Sequence, residues 1–155
     1  MDPTERLAKL DEVLDSYEFS LGLPHGEYPH LSEVSQYINY GRAQLEALSQ
    51  QDAGGVAYIL TSYSIFLQIA INREKARISW AESLIKECVI DKLDSYSGYS
   101  YLEKFGKAVK DNEYTVKLSQ IQRFAQERAD RLNFIANGVN NLATILTNIM
   151  RLRRE

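Results

Sequence analysis

The chain has 155 residues, 45% hydrophobic and 25% charged, with three Pro, two His and a single Cys. One cysteine excludes an intramolecular disulfide and points to a reducing, cytoplasmic setting, and two histidines leave little room for histidine-based metal or acid–base chemistry. Residues 1–56 carry ten acids against three bases, whereas residues 57–155 carry eleven acids against fifteen bases, so an acidic segment precedes a mildly basic body.

The elements read in order as helices. All three prolines (Pro3, Pro24, Pro29) fall in the first 29 residues, and nothing after them forbids a helix interior. A first helix is predicted from Asp2, an N-cap with Pro3 at N1, to about Tyr17. Residues 22–30 hold two Gly and two Pro and read as a loop. A second helix is predicted from Ser32 as N-cap to about Gln50, followed by a break at Gln51–Gly55 with Asp52 capping the next helix. That third helix runs from Val56 to about Ser95. Its stretch Tyr58–Ile71 is apolar around most of its circumference, which marks a helix buried on several sides. Fourteen residues are too few to span a bilayer, and the N-terminus is acidic, so neither a membrane segment nor a signal peptide is expected.

After a tyrosine-rich turn at 95–101 come a short helix at Leu102–Val109 and a long one from Asp111 as N-cap to about Arg151. In that last helix Leu118, Ile121, Ala125, Arg128, Leu132, Ile135, Val139, Leu142, Leu146 and Ile149 recur at alternating spacings of three and four. This is the pattern of a coiled-coil seam, with Arg128 as its one polar member, placed to pair with an acid from another helix or to fix register. The fold class expected is all-α: one helical domain over 1–155, with acidic N-terminal helices (1–50) packed on a long antiparallel hairpin (56–154). Two helices cannot cover both apolar faces of such a hairpin. Self-association into a coiled-coil-like homo-oligomer is therefore expected, through Leu118, Ile121, Leu132, Ile135, Val139, Leu142, Leu146 and Ile149.

No catalytic apparatus is visible. Cys88 has no histidine near it in sequence, His25 and His30 sit in a loop without a ligand pattern, and phosphate-binding glycine loops are absent. The chain is read as a non-enzyme without cofactor or metal. Tyr96, Tyr99 and Tyr101 crowd the hairpin tip, with Lys92 before them and Lys104, Lys107 and Lys110 after them. Such rings and ammonium groups suit single-stranded nucleic acid, bases stacking on tyrosine and phosphates meeting lysine. The simpler alternative is that the rings cap the open end of the hairpin with wet hydroxyls. Arg73, Lys75 and Arg77 form a second basic cluster that, by itself, reads as a solvated face.

Lys75-Ala76-Arg77 and Tyr96-Ser97-Gly98 resemble signature pieces of the UvsY-like recombination mediators of tailed phages, and the order of parts is similar over residues 61–154. The resemblance implies an oligomeric, non-enzymatic accessory protein in the cytoplasm of the host bacterium. It would bind single-stranded DNA and help a recombinase load on strands coated by single-strand-binding protein. It also implies DNA contact by Lys75 and Arg77, while Lys92, Tyr96, Tyr99, Lys104 and Lys107 follow from composition. The alternative is a helical protein-interaction or structural module, such as a phage assembly component or an inhibitor of a host protein, with no nucleic-acid binding. The charge split raises one further question, whether the acidic residues 1–50 compete with DNA for the basic body.

Overall fold

The computed structural model describes residues 1–155 and is all-α, without strands. Its helices are α1 (Pro3–Ser20), α2 (Leu31–Ile38), α3 (Arg42–Glu46), α4 (Gln50–Val89), α5 (Tyr101–Lys110) and α6 (Glu113–Leu152), with a 3-10 helix over Ile90–Ser95. The residues group into two compact units: 1–23 with 72–129, and 24–71 with 130–155. Helices α4 and α6 each supply one half to either unit.

The helix ends follow local chemistry, with corrections to the sequence expectations. Asp2 caps α1 as expected, accepting the Thr4 N–H at 3.0 Å. The far end of α1 closes on Gly22, whose φ of 70° lies in the left-handed region that L side chains avoid. There the Gly22 and Leu23 N–H groups return to the carbonyls of Phe19 and Glu18. The second predicted helix starts at Leu31 and is interrupted at Asn39–Gly41, giving α2 and α3. No break occurs at Gln51–Gly55. Ser49 caps α4 instead of Asp52, its hydroxyl accepting the Asp52 N–H at 3.1 Å and its carbonyl the Ala53 N–H at 2.8 Å. The cap of α6 is Asn112, accepting from Tyr114 N–H at 2.8 Å, while Asp111 ends α5.

In the first unit, α4 and α6 run antiparallel, since Glu74 meets Arg128 while Glu82 meets Gln122. Leu118, Ala125 and Ala129 of α6 and Glu74, Ala81, Ile85 and Val89 of α4 are buried. Val89, Leu93 and Ala108 close the end of this core, with Tyr96 and Phe105 against it. In the second unit the pairing is again antiparallel, Gln50 Nε2 donating to the Met150 carbonyl at 3.0 Å. Its core joins Val34 and Leu45 to Val56 and Leu60 of α4 and to Val139, Ala143 and Leu146 of α6. Tyr28 anchors the Pro/Gly loop in this core against Tyr63 and Phe66, its hydroxyl donating to the Ile59 carbonyl.

The α6 seam differs from the one expected. The buried apolar positions are Leu118, Ala125, Ala129, Ala136, Val139, Ala143 and Leu146. Ala129, Ala136 and Ala143 thus replace Arg128, Ile135 and Leu142, one residue earlier. At these three positions the small side chain takes the buried face, and Ile135 and Leu142 fall to its edge. Leu118, Val139 and Leu146, expected at an oligomer interface, are 0%, 2% and 0% exposed within one chain and cannot reach a second copy. Of the others, Ile135 is exposed while Ile121, Leu132, Leu142 and Ile149 are half-buried.

The apolar stretch of α4 lies, with the 3-10 turn, in a continuous 46-residue helix that is long and apolar enough to cross a membrane by length and composition alone, a test that the core helix of a soluble protein also passes; 22% of its most apolar window is buried.

Two glycines give opposite expectations for stability. A Cβ at Gly138, in the exposed interior of α6, meets nothing within 4 Å, so Gly138→Ala should stabilise by about 1 kcal/mol. Gly22→Ala should destabilise by roughly 1–2 kcal/mol because of its left-handed backbone. Urea midpoints of the two variants check both signs.

Candidate nucleic-acid interface

The second basic cluster is an ion network inside the first unit. Glu74 is 6% exposed, at a core position of α4. Its carboxylate accepts from Arg77 Nη1 at 2.6 Å and from Arg128 Nε and Nη2 at 3.0 and 3.1 Å. Arg128 therefore pairs with an acid of another helix, one of the two roles expected for it. Arg77 also donates through Nε to Asp11 at 2.9 Å, and Arg73 reaches Asp15 at 2.6 Å and Glu18 at 3.3 Å. Burial lowers the Arg77 pKa, but the bond to Asp11 and the charges of Glu74 and Asp11 outweigh it, so the guanidinium is held above its ordinary value. Of the two residues carried over by resemblance, Arg77 is thus enclosed by carboxylates. Lys75 is exposed.

The tyrosine turn divides in the same way. Tyr96 packs on the Val89–Leu93–Ala108 cluster, and desolvation together with a hydrogen bond to Asp111 raises its phenol above the ordinary 10. Its ring is a structural cap. Lys107 Nζ donates to the Ser97 carbonyl and pins the turn. Gly98 leaves room there: a Cβ would stand 3.0 Å from Glu103 Oε2, which accepts the Tyr99 N–H. Ser100 caps α5 by accepting the Glu103 N–H at 3.2 Å. These bonds display Tyr99 fully exposed and Tyr101 largely so, the latter stacked on Phe105 with ring centroids 5.9 Å apart. Lys92 is exposed on the 3-10 turn, and Lys104 is half-buried on α5.

Sequence reasoning missed a groove of about 620 Å³ between the C-terminal half of α4, α5 and the start of α6. Ile85, Val109 and Val116 supply apolar lining, Phe105 an aromatic wall, and Lys86, Lys110 and Arg123 three cations. Its one acid, Glu82, accepts from Gln122 at 2.9 Å. Of the three cations only Lys110 stood out in the sequence, because Lys86 and Arg123 are isolated bases on helices far apart along the chain. Only the antiparallel pairing brings them together.

No known protein family, curated protein or solved structure matches the chain significantly.

Two predictions follow from the ion network. Glu74→Ala leaves two guanidinium groups short of a partner and should destabilise by about 2–4 kcal/mol, whereas Lys75→Ala, on the exposed side, should change stability by less than about 0.5 kcal/mol. Equilibrium denaturation of the pair checks the contrast. Asp2 bonds Lys117 at 3.0 Å, and this bond, with the Thr4 N–H, holds its pKa below the usual 3.8. A depressed carboxylate contributes stability that is present above its unfolded pKa and lost as pH falls through the folded one. The stability gap between the native chain and Asp2→Ala should therefore be full near neutral pH and close below 3.8, as thermal melts across an acid series would read.

Proposed function

We propose that the chain is a non-enzymatic phage recombination accessory protein that binds single-stranded DNA and assists recombinase loading, acting as a homo-oligomer in the cytoplasm of the host. The observation that carries this is the groove of the first unit, where Lys86, Lys110 and Arg123 lie beside an aromatic wall without an ion-pair partner. Phosphates meet the three cations, and bases meet Phe105 and the exposed rings of Tyr99 and Tyr101. Lys75, Lys92 and Lys104 extend the basic surface, whereas Arg77, Tyr96 and Lys107 support the scaffold. The resemblance of the Lys75–Arg77 and Tyr96–Gly98 pieces to the UvsY-like mediators supports the recombination context.

One observation favours the rival, a protein-interaction module. Ile145 and Leu152 are exposed on α6 and, with Leu142 and Ile149, line an apolar groove of about 490 Å³ against Tyr40 and Leu45 of the second unit. Such a surface suits a protein partner or a second copy of the chain.

Fluorescence anisotropy of a labelled single-stranded oligonucleotide at two salt concentrations tests the proposal. The native protein should bind, and affinity should fall as salt rises. Replacing Lys86, Lys110 and Arg123 together by Ala should weaken binding and flatten the log–log salt dependence by about two, at roughly 0.7 per lost phosphate contact. Absence of binding at low salt, with one protein partner retained after nuclease treatment in a pull-down, would favour the rival.

A further inference from the structure

Helix α1 is held to its unit by charge more than by apolar burial. Pro3 is its one buried residue. Leu7, Leu10 and Leu14 are only half-buried, and Val13 and Tyr17 are exposed. Its polar attachments are many: Asp2 to Lys117 at 3.0 Å, Arg6 to the Tyr114 hydroxyl at 2.9 Å, Asp11 to Arg77 at 2.9 Å, and Asp15 and Glu18 to Arg73 at 2.6 and 3.3 Å. Asp11, Asp15 and Glu18 are spaced four and three apart, so their carboxylates form a row along one helix face. Without α1 the network contains four bases (Arg73, Arg77, Lys117, Arg128) and one acid (Glu74). With α1 it contains the same four bases and five acids.

We propose that α1 is an internal anion cover that occupies a second polyanion-binding face, formed by Arg73, Arg77 and Lys117, and that a phosphate polymer displaces it. A row of carboxylates offers cations the same charge as a row of phosphates, so the two compete for one surface. Removing α1 frees Arg73 and Lys117 of every ion pair and leaves Arg77 with Glu74 alone. A stretch in which Gly22 and Gly26 adopt left-handed backbone separates α1 from α2, so α1 can swing away without carrying that helix with it. The acidic residues that matter are those of α1. Glu27, Glu33, Glu46 and Asp52, also in the acidic N-terminal third, belong to the second unit and take no part in the network. The choice of nucleic acid as the natural polyanion rests on the function proposed above, but the cover itself does not.

Hydrogen exchange on the native full-length chain tests it with two probes, a thymidine oligonucleotide and inorganic polyphosphate, binding of each being followed in parallel by anisotropy or calorimetry. Displacement predicts at least tenfold faster exchange across residues 3–20 on binding, with residues 31–46 unchanged. Binding of either probe with no change at 3–20 would overturn the cover. Binding and release of α1 by polyphosphate but not by the oligonucleotide would keep the cover and overturn the DNA-binding function. Failure of both probes to bind at low salt would overturn both. The triple variant Asp11→Asn, Asp15→Asn, Glu18→Gln adds an independent measure. It should bind polyphosphate about tenfold more tightly, with a salt dependence steeper by about 1.4, roughly 0.7 for each of the two arginines freed. Unchanged affinity in a variant of native helix content would also count against the cover.

Discussion

The carboxylate of Glu74 is the constraint on which the first unit depends. A charge buried in a helix seam is costly unless paired and hydrogen-bonded, and here two guanidinium groups supply the pairing. Because Arg128 comes from α6 and Arg77 from α4 itself, Glu74 fixes which turn of one helix faces which turn of the other. A slip by one turn would take Arg128 away from the buried carboxylate and leave it with Arg77 alone, much as a single polar core residue fixes register in a coiled coil. The second tie of Arg77, to Asp11, carries the same constraint out to α1.

This arrangement redistributes the basic character of the chain. The arginines at 73, 77 and 128 are counterbalanced within the fold while α1 is docked, whereas the cations around the α4–α5–α6 groove have no ion-pair partner. The turn is similarly sorted: Tyr96 and Lys107 build it, and what they build presents Tyr99 and Tyr101. Scaffold and exposed positions alternate along a dozen residues, and the local sequence alone does not separate them.

Much of the fold was legible because helices announce themselves through proline placement, caps and periodicity. Asp2 with Pro3, the loop at 22–30 and the long final helix all follow from such signals. Leu118, Ala125, Val139 and Leu146 were read correctly, but at 135 and 142 the seam was misplaced by one residue because large aliphatic residues outweigh alanine in any hydrophobic pattern. The two glycines at 54 and 55 suggested a break, but a helix tolerates them at modest cost, and a Cβ at Gly54 would meet Met150 Cε at 3.4 Å. Of the candidate site, the aromatic turn was legible and the groove was not. Lys86 and Arg123 lie 37 positions apart in the chain, and such pairings emerge only from tertiary packing. The engagement of Arg77 with Asp11 was hidden for the same reason, although the acidic bias of the N-terminal third hinted that those charges had a partner.

The alanines at 125, 129, 136 and 143 have a thermodynamic consequence. Each layer of such a seam removes less hydrocarbon from water than a layer of leucine would. The heat-capacity change of unfolding scales with the apolar area exposed, so these layers add little to it. The free energy of folding contributed along this seam therefore varies more gently with temperature than that of a leucine-packed bundle of equal length. Its contribution to stability persists on cooling, where a more oily core loses its advantage.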